Sequence, residues 1–139
     1  MLGTGTTLDT ARLKEVLGAR YALDPHNISG FVLGEHGDSS FAAWTTVSAG
    51  GVGIERWPGC DAASLEGIFD GVRKAAYEII RRKRATYYAI GAATALLSEA
   101  ILRDQRSVWP ASVPLSGQYG LDGLSLSLPC VLGKKRPSR

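Results

Sequence analysis

The sequence predicts an α+β domain in which long helices pack on antiparallel sheet, and three observations carry that prediction. Apolar residues recur at helical spacing near the start and again through the middle of the chain; short runs rich in β-branched and aromatic residues stop at glycines; and the last third alternates apolar with small polar residues. With 139 residues, 45% of them hydrophobic and 21% charged, the chain is long enough for one core and too short for two comfortable ones.

After a Gly/Thr-rich opening at Gly3 to Thr7, the apolar positions Leu8, Ala11, Leu13, Val16, Leu17 and Tyr21 predict a first helix over Leu8 to Tyr21, ended before Pro25. Ile28 to Leu33 and Phe41 to Val47 read as two strands flanking a loop from Glu35 to Ser40. Asp61 or Ser64 can cap a helical pattern that passes through Ile68, Val72, Ala76 and Ile80 and resumes at Tyr87, Ile90, Leu97 and Ile101. That length predicts two helices, or one kinked near Arg84 to Thr86. Ser107 to Val113 and Leu124 to Leu132, on either side of Gln118-Tyr119-Gly120, predict antiparallel strands.

Composition narrows the function classes. The formal net charge is only +3, and part of it comes from Lys134, Lys135, Arg136 and Arg139 at the end, so a nucleic-acid partner is not expected. The basic run Arg81-Arg82-Lys83-Arg84 reads as a solvated helix end rather than an RNA or membrane face. The apolar stretch Ala89 to Leu97 is about half the length that crosses a bilayer. No secretory signal pattern precedes the first helix, and Cys60 and Cys130 are far apart, which together suggest two free thiols in a cytoplasmic protein. No cluster of His and Cys has metal-ligand spacing, so no metal is expected. Gly3-Thr4-Gly5 imitates a phosphate loop but lacks both a preceding strand and the third glycine, where Leu8 stands.

Two candidates for chemistry stand out. Asp9 and Arg12 are three apart on the first predicted helix and share a face, an arrangement that serves one neighbouring site or is simply a surface ion pair. His36 lies between Gly34 and Gly37 in a short loop, where the glycines allow a sharp turn and leave the imidazole accessible.

Read together, Leu8-Asp9-Thr10-Ala11-Arg12 followed by Gly34-Glu35-His36-Gly37-Asp38-Ser39 resembles the lactate/malate dehydrogenase family. The resemblance continues through Lys83-Arg84-Ala85-Thr86-Tyr87-Tyr88-Ala89-Ile90 and Gly117-Gln118-Tyr119-Gly120, and covers nearly all of the chain to Gly133. It implies the C-terminal substrate domain of that family over 1–133, followed by a basic, disordered tail over 134–139. It also implies that His36 is the proton donor and acceptor while hydride moves between NAD and a 2-oxo or 2-hydroxy acid, a task suited to a side chain that titrates near neutrality. Asp9 would hold the other ring nitrogen and stabilise the imidazolium. Arg12 would grip the substrate carboxylate through two parallel hydrogen bonds. Thr86 and Ile90, four apart and expected on one helix face, would line the substrate pocket and pack on the nicotinamide ring; core packing is the other reading of Ile90. Thr4 matches a position near the nicotinamide carboxamide, and also reads as a turn residue.

The family's dinucleotide-binding half, with its glycine-rich turn at a helix N-terminus, has no counterpart in this sequence, nor has the mobile loop that carries a second arginine. The expectation is therefore a truncated or frameshifted frame starting at an internal Met1, inactive alone and with apolar surfaces open to association. Glu35, Ser39 and Thr86 resemble the L-lactate branch, whose substrates are pyruvate and L-lactate and whose members assemble as homotetramers. A malate dehydrogenase half and a non-enzymatic remnant that only joins full-length subunits are the alternatives, and a basic nucleic-acid-binding module is a third. Lys14 and Ser29 stand where fructose 1,6-bisphosphate-activated members carry arginine and histidine, which argues against that activation.

Overall fold

The computed structural model describes residues 2–134; Met1 and the expected tail beyond Lys134 lie outside them. Helix α1 spans Thr7–Tyr21. Five two-residue strands follow it, β1 (Ile28–Ser29), β2 (Val32–Leu33), β3 (Phe41–Ala42), β4 (Ser48–Ala49) and β5 (Val52–Gly53). The long helices α2 (Ala62–Lys83) and α3 (Tyr88–Leu102) come next, and the hairpin β6 (Ser107–Ser116) and β7 (Asp122–Leu132) completes the order. Helices on antiparallel sheet are the predicted α+β architecture.

The two strands expected over 28–33 and 41–47 are each broken. Gly30, at φ +143°, separates β1, which pairs with β4, from β2, which pairs with β3. A Cβ at Gly30 would stand 2.7 Å from Val47 Cγ2, so the chain can switch partners here only because that side chain is missing. Trp44–Thr46 forms a 3-10 turn in place of strand, and the Thr46 hydroxyl donates to the Ala43 carbonyl at 2.7 Å, a local bond that competes with a ladder.

Asp61, not Ser64, caps α2: its carboxylate accepts from the Ser64 backbone N–H at 2.7 Å. At the other end Arg84, at φ 65°, turns left-handed and its N–H returns to the Ile80 carbonyl at 2.7 Å. The middle pattern is thus two helices. Thr86, expected on a helix with Ile90, lies instead in the connection before α3, because the left-handed turn at Arg84 has already ended α2 and α3 starts only at Tyr88. The hairpin is as predicted, in register from Ser107 opposite Leu132 to Ser116 opposite Asp122, with an irregularity between Pro114 and Ser116.

Where the length predicts a single core, two hydrophobic clusters result. In the first, Leu13 and Leu17 of α1 meet Ile28 and Val32 of the small sheets, Val47 just before β4, and Phe69 and Val72 of α2. In the second, Leu97 and Ala100 of α3 lie on Ala111, Val113, Cys130 and Leu132 of the hairpin. Cys60 packs against the first core and Cys130 sits inside the second, and neither is in a disulfide. No helix among the described residues is long and apolar enough to cross a membrane.

The segment before α1 is tied to the hairpin. Gly3 and Ser112 exchange backbone hydrogen bonds of 2.9 and 3.1 Å. Gly5, at φ +52°, lies so close that a Cβ would stand 2.7 Å from the Ser112 nitrogen. The Gly3-Thr4-Gly5 run therefore has a packing role. Gly5→Ala is expected to cost about 2 kcal/mol or more in chemical denaturation, since both the left-handed backbone and the neighbouring strand oppose a side chain.

A mostly apolar groove of about 570 Å³ runs between α1, α3 and β6, and Lys14 lines it. Burial holds the Lys14 ammonium pKa below its ordinary 10.5. Between the lowered folded value and 10.5, the unfolded chain keeps a proton that the folded chain has released, so stability rises with pH across that window. Lys14→Met should raise the melting temperature at neutral pH and flatten this rise, as thermal denaturation between pH 7 and 11 would show.

Candidate active site

A knot of buried polar groups brings the predicted residues together. Ser127 of β7 exchanges backbone hydrogen bonds with Gly34, at 2.8 and 3.1 Å, and its hydroxyl accepts from the Thr6 N–H at 3.1 Å. Thr6 occupies the N-cap of α1 but makes no capping bond; its hydroxyl donates to the Val32 carbonyl instead. Thr10, one turn along α1, accepts from the Val32 N–H at 2.9 Å. Helix α1, strand β2 and the hairpin are thereby locked in register, and β2 runs straight into the loop that carries His36.

Across this junction, His36 Nδ1 lies 2.6 Å from Asp9 Oδ2, although the two residues are 27 apart in sequence. The other carboxylate oxygen, Oδ1, accepts from Arg12 Nη1 at 3.3 Å. Asp9 is thus shared between the imidazole and the guanidinium. Its side chain is only 9% exposed, against 19% for Arg12 and 55% for His36. A carboxylate can only accept, so Nδ1 carries the proton and Nε2 is the nitrogen that can exchange one with a bound molecule. The guanidinium has five N–H donors, and the bond to Asp9 uses one of them.

The His36 loop is held from several sides. Ser40 donates to the Gly37 carbonyl through its N–H at 3.1 Å and its hydroxyl at 2.8 Å. Ser39 donates to Glu35 Oε2 at 2.5 Å, and Tyr77 of α2 reaches Asp38 Oδ1 at 3.4 Å.

Arg12, His36, Thr86 and Ile90 all line one cleft of about 340 Å³. Leu8, Ile79 and Ala85 supply apolar wall, and Ile90 is 38% exposed beside them. Thr4 is not among the residues that line it; the Thr4 carbonyl accepts from the Thr7 N–H at 3.2 Å in the turn before α1. The larger groove beside Lys14 holds neither Arg12 nor His36.

Sequence reasoning passed over Lys83, Tyr87 and Tyr88 as members of this cleft. The only signal for them is their place in the segment around Thr86. The basic run divides: Arg81 binds Glu78 with contacts of 2.7 and 2.8 Å, and Arg82 shares the same carboxylate. Those two bonds, Arg81 first, hold the Glu78 carboxyl below the usual carboxylate range. Lys83 turns the other way, its ammonium 3.7 Å from the centre of the Tyr88 ring.

Comparison with known proteins identifies the fold and the family. Residues 6–138 match the family described as lactate/malate dehydrogenase, alpha/beta C-terminal domain. The chain is 44% identical to the L-lactate dehydrogenase of Thermoanaerobacter sp. (strain X514) over 139 residues, covering 96% of this chain and 45% of that protein. It is 46% identical to the L-lactate dehydrogenase of Synechococcus sp. (strain JA-3-3Ab), covering 100% of this chain and 46% of that one. The crystal structure of the minor L-lactate dehydrogenase from Enterococcus mundtii in its ligands-bound form superposes with a TM-score of 0.92 at 39% identity, covering 99% of this chain and 45% of that chain. The chain spans about half the length of these relatives. On sequence and fold together, it belongs to the lactate/malate dehydrogenase family and is that family's C-terminal domain.

Proposed function

We propose that this chain supplies the substrate-binding and proton-exchanging half of an NAD-dependent L-lactate dehydrogenase, which interconverts pyruvate and L-lactate. The observation that carries the reading is the bridging of His36 and Arg12 by the two oxygens of the buried Asp9 carboxylate, at 2.6 and 3.3 Å. A surface ion pair needs no imidazole from a distant loop, and a bystander histidine needs no buried carboxylate behind it.

The Arg12 guanidinium takes the substrate carboxylate, so that the neighbouring carbonyl lies within reach of His36. As pyruvate is reduced, the carbonyl oxygen receives the proton from His36 Nε2, and the reverse reaction returns it there. Asp9 keeps the ring in that tautomer and offsets the positive charge of the protonated imidazole. Thr86 and the apolar residues around it leave room for a small methyl group. The exposed Ile90 side chain, flanked by Leu8 and Ala85, suits one face of a flat nicotinamide ring. When bound, NAD supplies or accepts the hydride at the substrate carbon. Thr4, which does not line the cleft, is placed near the carboxamide by the family resemblance alone.

The L-lactate reading is preferred to the malate one because the relatives compared above are named L-lactate dehydrogenases and because Glu35, Ser39 and Thr86 resemble that branch. The dinucleotide-binding half would come from a further polypeptide segment, in a cytoplasmic homo-oligomer. A second reading, a remnant that only associates with full-length subunits, is favoured by the apolar side chains left open on α1 and α3: Val16 is 40% exposed, Leu96 49% and Leu102 74%. A monodisperse monomer in sedimentation, with no co-purification of an intact subunit, would count against it.

The direct test supplements this chain with the dinucleotide-binding half of the Thermoanaerobacter relative and follows NADH oxidation driven by pyruvate. Turnover is expected, and His36→Asn should lower it by a factor of about 100 or more. No turnover, or turnover that survives His36→Asn, overturns the reading. In the same assay Arg12→Lys should raise the KM for pyruvate about tenfold or more, because an ammonium cannot make the paired bonds. Asp9→Asn should act mainly on kcat, slowing proton exchange about 100-fold while the KM moves little.

A further inference from the structure

The connection from α2 to α3 carries Thr86 and leads to Ile90, yet its ends are joined by few backbone bonds. Arg84 closes α2 onto Ile80 at 2.7 Å, and the Gly91 N–H returns to the Tyr87 carbonyl at 3.0 Å. Tyr87 occupies the N-cap of α3 without a side-chain capping bond. What spans the gap is a side-chain cluster. Lys83, the last residue of α2, places its ammonium 3.7 Å from the centre of the Tyr88 ring and 4.9 Å from that of Tyr87. The two rings lie 4.7 Å apart, tilted by 52°. The rings are more than half exposed, so burial alone does not hold them in place. An ammonium over an aromatic face is attracted by the ring quadrupole, and one cation between two rings ties three residues across the break.

We infer that Lys83 is a positioning residue: its ammonium, held over Tyr87 and Tyr88, closes the α2–α3 connection and sets where Thr86 and Ile90 stand in the cleft that they share with Arg12 and His36. The consequence for substrate rests on the function proposed above; the clamp itself does not. Charge is the operative property, because an uncharged chain of similar length keeps the apolar contact and loses the attraction. A guanidinium, which also stacks on aromatic faces, should keep it.

The test uses the 139-residue chain in solution NMR, with pyruvate as the probe. Ring currents should move the Lys83 Hε protons upfield of those of Lys14 and Lys74, and Tyr88→Leu should abolish that displacement. Lys83→Met should lower the methyl order parameters of Thr86 and Ile90 and weaken pyruvate binding about two- to fivefold, and Lys83→Arg should restore both. Unshifted Lys83 protons in the native chain overturn the clamp, as does a Lys83→Met variant whose Thr86 and Ile90 methyls are as rigid as before, or an arginine that rescues nothing. If Lys83→Met fails to fold, the proton shifts of the native and Tyr88→Leu chains still decide. Pyruvate binding is read with the dinucleotide-binding half and NADH added; if no form binds it there, the proposed function fails, while the shifts and order parameters continue to judge the clamp.

Discussion

The structure depends on a polar junction buried between its two hydrophobic cores. Ser127, 1% exposed, pairs with Gly34 on one side and receives the Thr6 N–H on the other, while Thr6 and Thr10 both bind Val32. Buried polar groups are costly unless they are bonded, and each group here finds a partner in a different element. Apolar packing would tolerate some sliding of α1 over the small sheets. This network does not, because a shift of one residue would strand several donors at once.

That rigidity matters because of what stands one turn away. Asp9 lies between Thr6 and Thr10 on α1, and His36 follows β2 by a few residues, so the junction that binds Val32 also sets the Asp9–His36 distance. The same carboxylate then restrains Arg12. One buried acid, placed by backbone and hydroxyl bonds rather than by its own flexibility, orients both of the groups that would handle substrate. The arrangement is preorganised in the sense that the proposed proton transfer would require.

The other wall of the cleft is built differently. Thr86 and Ile90 belong to a helix break and to the first turn of α3, where packing is thinner and aromatic rings are open to solvent. The site thus joins a deeply held acid–base side to a lightly held apolar side. The groove between α1, α3 and β6 is likewise apolar and open.

Much of this was legible in the residues. The helical periods of α1, α2 and α3, a cap at Asp61 or Ser64 and the alternation of β6 and β7 follow from local chemistry, and Asp9, Arg12 and His36 sit in short motifs specific enough to carry a family resemblance. Composition and spacing could not tell a site from a surface pair and a stray histidine, because the contact between Asp9 and His36 depends on how α1 meets β2. Gly30 likewise read as part of one strand, and only its approach to Val47 makes it the point where the chain changes sheets. Thr86 read as helical because its neighbours repeat with helical spacing, but the left-handed turn at Arg84 takes it out of the helix. Local sequence determined which segments become helix or strand and which side chains are chemically capable. Tertiary structure alone decided which of them meet, since pairing across distant elements is set by long-range packing and buried hydrogen bonds that no local window contains.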